Sequence, residues 1–260
     1  KSMKWNKKPA KRVDTYTPSE EGVIEFMNID KQFHLVPQKI SLPKWYKDMP
    51  GIKQLGPGLQ DDLTIKKCIP ILDALTMGYY LVTKEEYSFS YDKELKESKF
   101  IGPAKIMNEE PISRHPITQI NTVSLSPEYI EEAFKWKNSW LIKTPPGYSC
   151  LFTHPLDGIE APFKTLDGVV DTDNFFMPVL FPFLMKNSFE GVIPAGTPVV
   201  QIIPFKRTNW TMKVNEDLSK DLETNYHAEK TFYMSEQYNK DGSPNPGKYK
   251  REYRVKKRYT

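Results

Sequence analysis

The sequence predicts a mainly β fold with one C-terminal helix and extended basic termini, and three observations carry that expectation. Twenty-two prolines and 14 tyrosines among 260 residues cut the chain into short extended pieces and disfavour a helix-dominated fold. The alternation Tyr87-Ser88-Phe89-Ser90-Tyr91 has the period of a half-buried strand, with an aromatic face that packs and a serine face that is wet. From Thr144 to Arg207, turn residues alternate with β-branched and apolar runs. The expected organisation is a basic arm over 1–19, a β domain over 20–210, a helical segment over 211–240 and a basic tail over 241–260.

In chain order, Gly22-Val23-Ile24-Glu25-Phe26 starts alternating strands that run on to Leu35-Val36. Lys44-Trp45-Tyr46-Lys47 follows a proline, and its aromatics are expected to seal a core edge. Gly56 to Asp62 reads as a loop around Pro57-Gly58. Thr64 to Leu75 is mostly apolar and carries Cys68, Pro70 and Asp73, and Gly78 separates it from Tyr79-Tyr80-Leu81-Val82. Glu94 to Pro111 reads as charged and irregular, and His115, before a proline, as a turn residue. Ser126-Pro127-Glu128 has the signature of a helix start: a serine cap, a proline in the first turn and Glu128, Glu131 and Glu132 near the positive end. Beyond Arg207, Trp210 to Val214 reads as strand, and Asn215 to Tyr238 as an amphipathic helix of several turns.

The central stretch is the most patterned. Pro145-Pro146-Gly147 breaks one strand from the next before Tyr148 to Phe152. Gly168-Val169-Val170 leads to Asp171 and Asp173, which share a face if the strand continues. Phe175 to Met185 is apolar but cut by Pro178 and Pro182, so it reads neither as a long helix nor as a central strand throughout. Pro194-Ala195-Gly196 then turns the chain into Val199 to Phe205, an apolar strand interrupted by Gln201, which needs a partner if buried.

Gly168 to Asp173 and Gly196 to Gln201, in that order after a Pro-Gly-Tyr turn, resemble the third and fourth motifs of the dUTPase and dCTP deaminase superfamily. The resemblance implies a dUTPase-like β-clip barrel, commonly a homotrimer, in which Asp171 orients and deprotonates the attacking water beside a magnesium-bound nucleotide phosphate. It also brings in Tyr79, from the first-motif candidate Met77 to Leu81, together with Asp173 and Gln201 as ligand-binding residues. The chain departs from that pattern where the enzymes carry Arg-Ser-Gly and this chain has Thr153-His154-Pro155-Leu156-Asp157-Gly158. Tyr80 stands in the place of an aspartate, and no glycine-rich fifth motif follows. A longer stretch, from Lys44-Trp45-Tyr46 through Lys67-Cys68-Ile69-Pro70 and Asp73-Ala74 to Lys206-Arg207, resembles a family of bacterial and phage proteins of unknown function, which implies no activity.

Charge is unevenly spread. The net charge of +4 conceals six Lys or Arg and no acid in residues 1–12, and seven Lys or Arg with only Glu252 in residues 247–260. The remainder holds 24 basic against 32 acidic residues. The tails therefore read as binding elements for an acidic protein surface or nucleic acid. Lys4, Trp5, Lys7, Lys8, Lys11 and Arg12 would act at one end, and Lys250, Arg251, Arg254, Lys256, Lys257 and Arg258 at the other. Solvated tails are the alternative. No apolar run approaches the roughly 20 residues of a bilayer span and no signal-peptide pattern is present, so the expectation is a soluble protein of a virion or the cytoplasm. Cys68 and Cys150 lack metal or redox spacing and read as buried free thiols.

No metal site is expected, because the four histidines are far apart and only His154-x-x-Asp157 offers a pair. Two readings of the aspartates stand. In one, Asp171 and Asp173 cap a turn and Gln201 bonds across the sheet, and the chain is a non-catalytic structural or interaction module, a phage virion component fastened by its basic arms. In the other, the chain is a divergent nucleotide pyrophosphatase or deaminase-like enzyme that uses Asp171 with Gln201, with magnesium if it is a nucleotide hydrolase and otherwise no cofactor.

Overall fold

The structure, a computed structural model, describes residues 20–30, 33–57, 59, 61–102, 110–120, 127–157, 161–217, 219–235 and 249–260. The N-terminal residues Lys4, Trp5, Lys7, Lys8, Lys11 and Arg12 lie outside them. In chain order the strands are β1 (Glu25–Asn28), β2 (Leu35–Lys39), β3 (Ile52–Lys53), β4 (Asp62–Leu63), β5 (Tyr79–Thr83), β6 (Tyr87–Asp92), β7 (Glu97–Ile101) and β8 (Ile112–His115), then β9 (Tyr129–Trp136), β10 (Trp140–Lys143), β11 (Tyr148–Thr153), β12 (Phe163–Thr165), β13 (Gly168–Val170), β14 (Phe181–Lys186), β15 (Gly191–Ile193) and β16 (Pro198–Lys206). The helices are α1 (Lys44–Asp48), α2 (Ile69–Leu75) and α3 (Lys220–Ser235).

The fold is mainly β, as expected, and falls into two units. The first takes the described residues of Lys1–Gln38, Tyr80–Pro155 and Glu160–Arg207, and the second those of Lys39–Tyr79, Leu156–Ile159 and Thr208–Thr260. Among the described residues the sheets stay open, in the orders β1-β10, β13-β11-β16-β5-β2, β12-β14-β9-β8, β15-β6-β7 and β3-β4, so no barrel closes.

The core of the first unit is aromatic. Trp136 and Phe183 are fully buried and stack with ring centroids 4.9 Å apart, and Phe163, Phe134, Phe89 and Tyr87 surround them. Each such side chain contributes on the order of 2 kcal/mol by burial. Tyr87 and Phe89 on β6 point into this core, while Ser88 and Ser90 on the other face are half-buried.

Four local expectations give way to tertiary context. The helix expected after Ser126 is instead strand β9, held between β14 and β8. Ile130 and Phe134 stand four apart and fit a helix face, but Trp136 extends the alternation, and three buried apolar groups on one strand face outweigh a good helix start. β7 lies inside the stretch read as irregular, pairing from Ser88↔Ile101 to Asp92↔Glu97. His115 ends β8 instead of occupying a turn, and Trp210 to Val214 is exposed and forms no strand. Phe175 to Met185 is not strand throughout, as expected, and Pro182 is accommodated inside its strand portion, β14. Its carbonyl accepts from Leu166 N–H at 2.9 Å, beyond the last β12 pair, so the missing proline N–H points past β12 and costs β9 no bond.

In the second unit, Tyr46 of α1 is 3% exposed and its hydroxyl donates to Lys66 O at 2.9 Å, while Trp45 Nε1 donates to Asp157 O at 2.7 Å. The aromatics there do pack, as read. α3 occupies the expected helical segment, with its side chains from Lys220 to Thr231 exposed. Both cysteines are free thiols; Cys150 is fully buried and Cys68 half-buried. Among the described residues, no helix is long and apolar enough to cross a membrane.

Candidate functional site

The aspartate cluster is built at one end of the β11–β16 ladder. These strands pair antiparallel from Tyr148↔Lys206 to Thr153↔Gln201, and β11 pairs on its other side with β13 from Cys150↔Val170 to Phe152↔Gly168. The strand does not continue into the aspartates. After Val170 the chain turns, with Asn174 N–H donating to Asp171 O at 3.0 Å and Phe175 N–H to the same carbonyl at 2.8 Å. Asp171 and Asp173 therefore do not share a strand face: the Asp171 side chain is 61% exposed and that of Asp173 only 6%.

What gathers them is Arg207, the residue after β16. Its backbone N–H donates to Gly147 O at 2.8 Å, which carries the ladder one step beyond the strand. Nη1 donates to Tyr148 O at 2.7 Å, Ser149 Oγ at 3.0 Å and Asp173 Oδ1 at 2.9 Å, and Nη2 donates to Asp173 Oδ2, a forked arrangement. Asp171 Oδ1 lies 3.4 Å from Nη1 and accepts from Ser149 Oγ at 2.7 Å. Gly147 N–H donates to Asp173 Oδ2 at 2.8 Å. Lys143, fully buried, donates from Nζ to Asp173 O at 2.7 Å and lies 5.6 Å from the Phe176 ring centroid. Below this, Thr144 and Thr172 hydroxyls bond to each other at 2.6 Å.

The electrostatics follow from these bonds. The Arg207 guanidinium first, and the Gly147 N–H with it, hold the Asp173 carboxyl below its ordinary range against the opposing effect of burial. Asp173 in turn raises the pKa of Arg207. Burial pushes the Cys150 thiol up to about 11. An incoming phosphate would have to displace Asp173 from Arg207 and strand a buried carboxylate beside Gly147. The arrangement works as a latch that ties the end of β16 to the turns at 144–148 and 171–174.

Gln201 is fully buried opposite Thr153, at the far end of the ladder, five residues or about 17 Å from Lys206 at strand spacing. Tyr79 belongs to the second unit, where its ring meets Tyr259 edge to face at 6.0 Å and burial raises its pKa. In the tail, Arg254 and Lys257 face Asp73 of the same chain, while Lys250, Arg251, Lys256 and Arg258 are exposed. Among the described residues, no group of three or more His, Cys, Asp or Glu could hold a metal ion. His154 accepts from Thr165 N–H at Nδ1, 3.2 Å away, and burial pushes its pKa down to about 4, so it is a neutral acceptor in the fold. The first unit has a cleft of about 510 Å³ lined by Tyr87, Phe100, Ile112 and Phe134 among others, and neither aspartate nor Gln201 lines it.

Sequence reasoning missed Arg207, Ser149 and Lys143. Arg207 was legible as a cation closing an apolar strand, and Ser149 as the residue directly after the Pro-Gly-Tyr turn. Both supply the donor types expected further along, at 153–158, where the sequence has neither Arg nor Ser. A scan against protein-family models and a search of curated proteins find no match to this chain.

Proposed function

We propose that this chain is a non-catalytic structural or interaction module, a subunit of a larger assembly that its basic termini fasten to neighbours or to nucleic acid. The supporting observation is the closure of Arg207 on Asp173: the guanidinium that a nucleotide phosphate would need already binds the carboxylate that would repel that phosphate. Gln201 is fully buried at the other end of the ladder and offers no exposed group beside Asp171, which also supports this reading. The motif order from Gly168 to Gln201 supports descent from a dUTPase-like β-clip whose chemistry has been lost, with a homotrimer as its assembly state. A phage particle is the setting implied by the longer resemblance.

The test is calorimetric titration of a panel of nucleoside triphosphates with magnesium into wild-type chain and Asp171→Asn, with product analysis of the same samples. The module reading expects no product and no heat that depends on Asp171. Turnover or micromolar binding that the Asp171→Asn change removes would replace it with the pyrophosphatase or deaminase-like reading, in which Asp171, exposed beside Ser149 and Arg207, is the base.

A further inference from the structure

The C-terminal tail is basic in sequence but anchored in the structure, within the second unit. Arg254 Nη2 donates to Asp73 Oδ1 of α2 at 2.6 Å, and the two side chains are only 14% and 15% exposed. Lys257 Nζ stands 3.5 Å from Asp73 Oδ2. Tyr259 packs edge to face on Tyr79, and burial raises the pKa of both hydroxyls. Tyr253 OH donates to Glu229 of α3, and Arg254 N–H donates to Tyr249 O at 2.9 Å, closing a wide turn over Tyr249–Tyr253.

These anchors leave Lys250, Arg251, Lys256 and Arg258 exposed. Interleaved with them are Tyr249 and Tyr253, 39% and 46% exposed, with ring centroids 6.3 Å apart. Cations alone suit any polyanion. Cations interleaved with exposed aromatic rings suit a polyanion that also offers flat faces, and in nucleic acid those faces are accessible only where the bases are unpaired. An acidic protein surface would use the cations and leave the rings idle.

We propose that residues 249–258 form a binding strip for single-stranded nucleic acid. Lys250, Arg251, Lys256 and Arg258 meet its phosphates, Tyr249 and Tyr253 stack its bases, and the Asp73–Arg254 pair positions the strip. The proposal rests on the interaction-module reading and names the partner of its C-terminal tail. Anchoring also fits the role, because a strip already held in place gives up less conformational freedom on binding than a free tail.

The full chain would be titrated into fluorescein-labelled oligothymidylate, a DNA duplex of the same length and labelled polyglutamate, by anisotropy at several salt concentrations. The expected result is that oligothymidylate binds at least about fivefold tighter than duplex, since stacking of even one base is worth on the order of 1–3 kcal/mol. Its log affinity should fall with log salt at a slope of about −3, for four phosphate contacts. Lys256→Glu with Arg258→Glu should weaken it at least about tenfold, while Tyr249→Ala should weaken oligothymidylate and leave the duplex unchanged. Asp73→Asn should lower affinity several-fold and speed amide exchange over 249–260, while the release of Arg254 and Lys257 leaves the salt slope no shallower. No binding by wild type, or full binding by the Lys256→Glu, Arg258→Glu variant, overturns the strip. Polyglutamate as the tightest ligand assigns the tail to an acidic protein instead, and unchanged affinity in Asp73→Asn removes the positioning role. None of these outcomes bears on nucleotide turnover, which tests the module reading separately.

Discussion

Arg207 decides what Asp173 is for. A carboxylate that is 6% exposed is costly to bury unless it is paired and hydrogen-bonded, and Asp173 is both, through the guanidinium and Gly147 N–H. Its folded pKa is depressed, so the pair's contribution to stability is fully present above the ordinary carboxylate value and is lost as pH falls through the lowered one. Chemical denaturation of wild type should therefore show stability falling on the acid side, below about pH 4, and Asp173→Asn should flatten that limb. At neutral pH, Asp173→Ala should cost about 2–4 kcal/mol, because it leaves Gly147 N–H without its acceptor and Arg207 without its fork. Asp171→Asn, at an exposed position, should cost less than about 0.5 kcal/mol. Equal losses at both positions would contradict the latch. The two aspartates were legible in the sequence because their spacing marks a turn or a site; the partner was not, since it lies 34 residues downstream and only the β11–β16 register brings it back.

Elements show how far local pattern reaches. Strand β6 announces itself by strict alternation, and β11, β13 and β16 by the turns between them, so their existence follows from residues alone. β9 does not, because Ser-Pro-Glu is a sound helix start and only the pairing of Trp136 with Phe181 and Ile112 shows why extension wins. β7 is hidden by Lys and Glu on its outer positions, which suit an edge strand and look irregular in sequence. The turns are where sequence and structure agree most closely. Gly147 has φ +84 and Gly196 φ +80, both in the left-handed region where a side chain is strained. Gly147→Ala should thus cost about 1–2 kcal/mol in a denaturant titration although nothing lies within 4 Å of the added methyl group. Gly168→Ala, at ordinary φ and equally open, is the control and should change stability by less than about 0.5 kcal/mol. If the two cost the same, the left-handed turn is not what holds Asp173 in reach of Arg207.

For the molecule as a whole, the single β domain read over 20–210 becomes two units, because residues 39–79 group with the C-terminal segment across a long sequence separation that no local pattern reports. The apolar stretch after the aspartates is also divided: Phe181 to Met185 enters the core, but Phe175, Phe176, Met177 and Leu180 remain 41–63% exposed. Beside them in sequence, β13 is, among the described residues, the edge of its sheet and pairs with β11, and Val169 on it is 60% exposed. A short open edge with apolar residues on and after it is a template for pairing, and a second copy of the chain carries the same edge and the same residues, so symmetric association buries both at once. Sedimentation equilibrium at tens of micromolar should accordingly find twice the 30.2 kDa chain, because an edge that pairs with its own copy closes as a dimer, whereas the trimer that the resemblance implies would need a heterologous contact. Val169→Lys with Met177→Glu should return the mass to that of one chain with the far-ultraviolet circular dichroism unchanged, since neither side chain belongs to the core. A wild-type chain that stays monomeric at those concentrations would leave this face to a different protein and remove self-assembly from the proposed function.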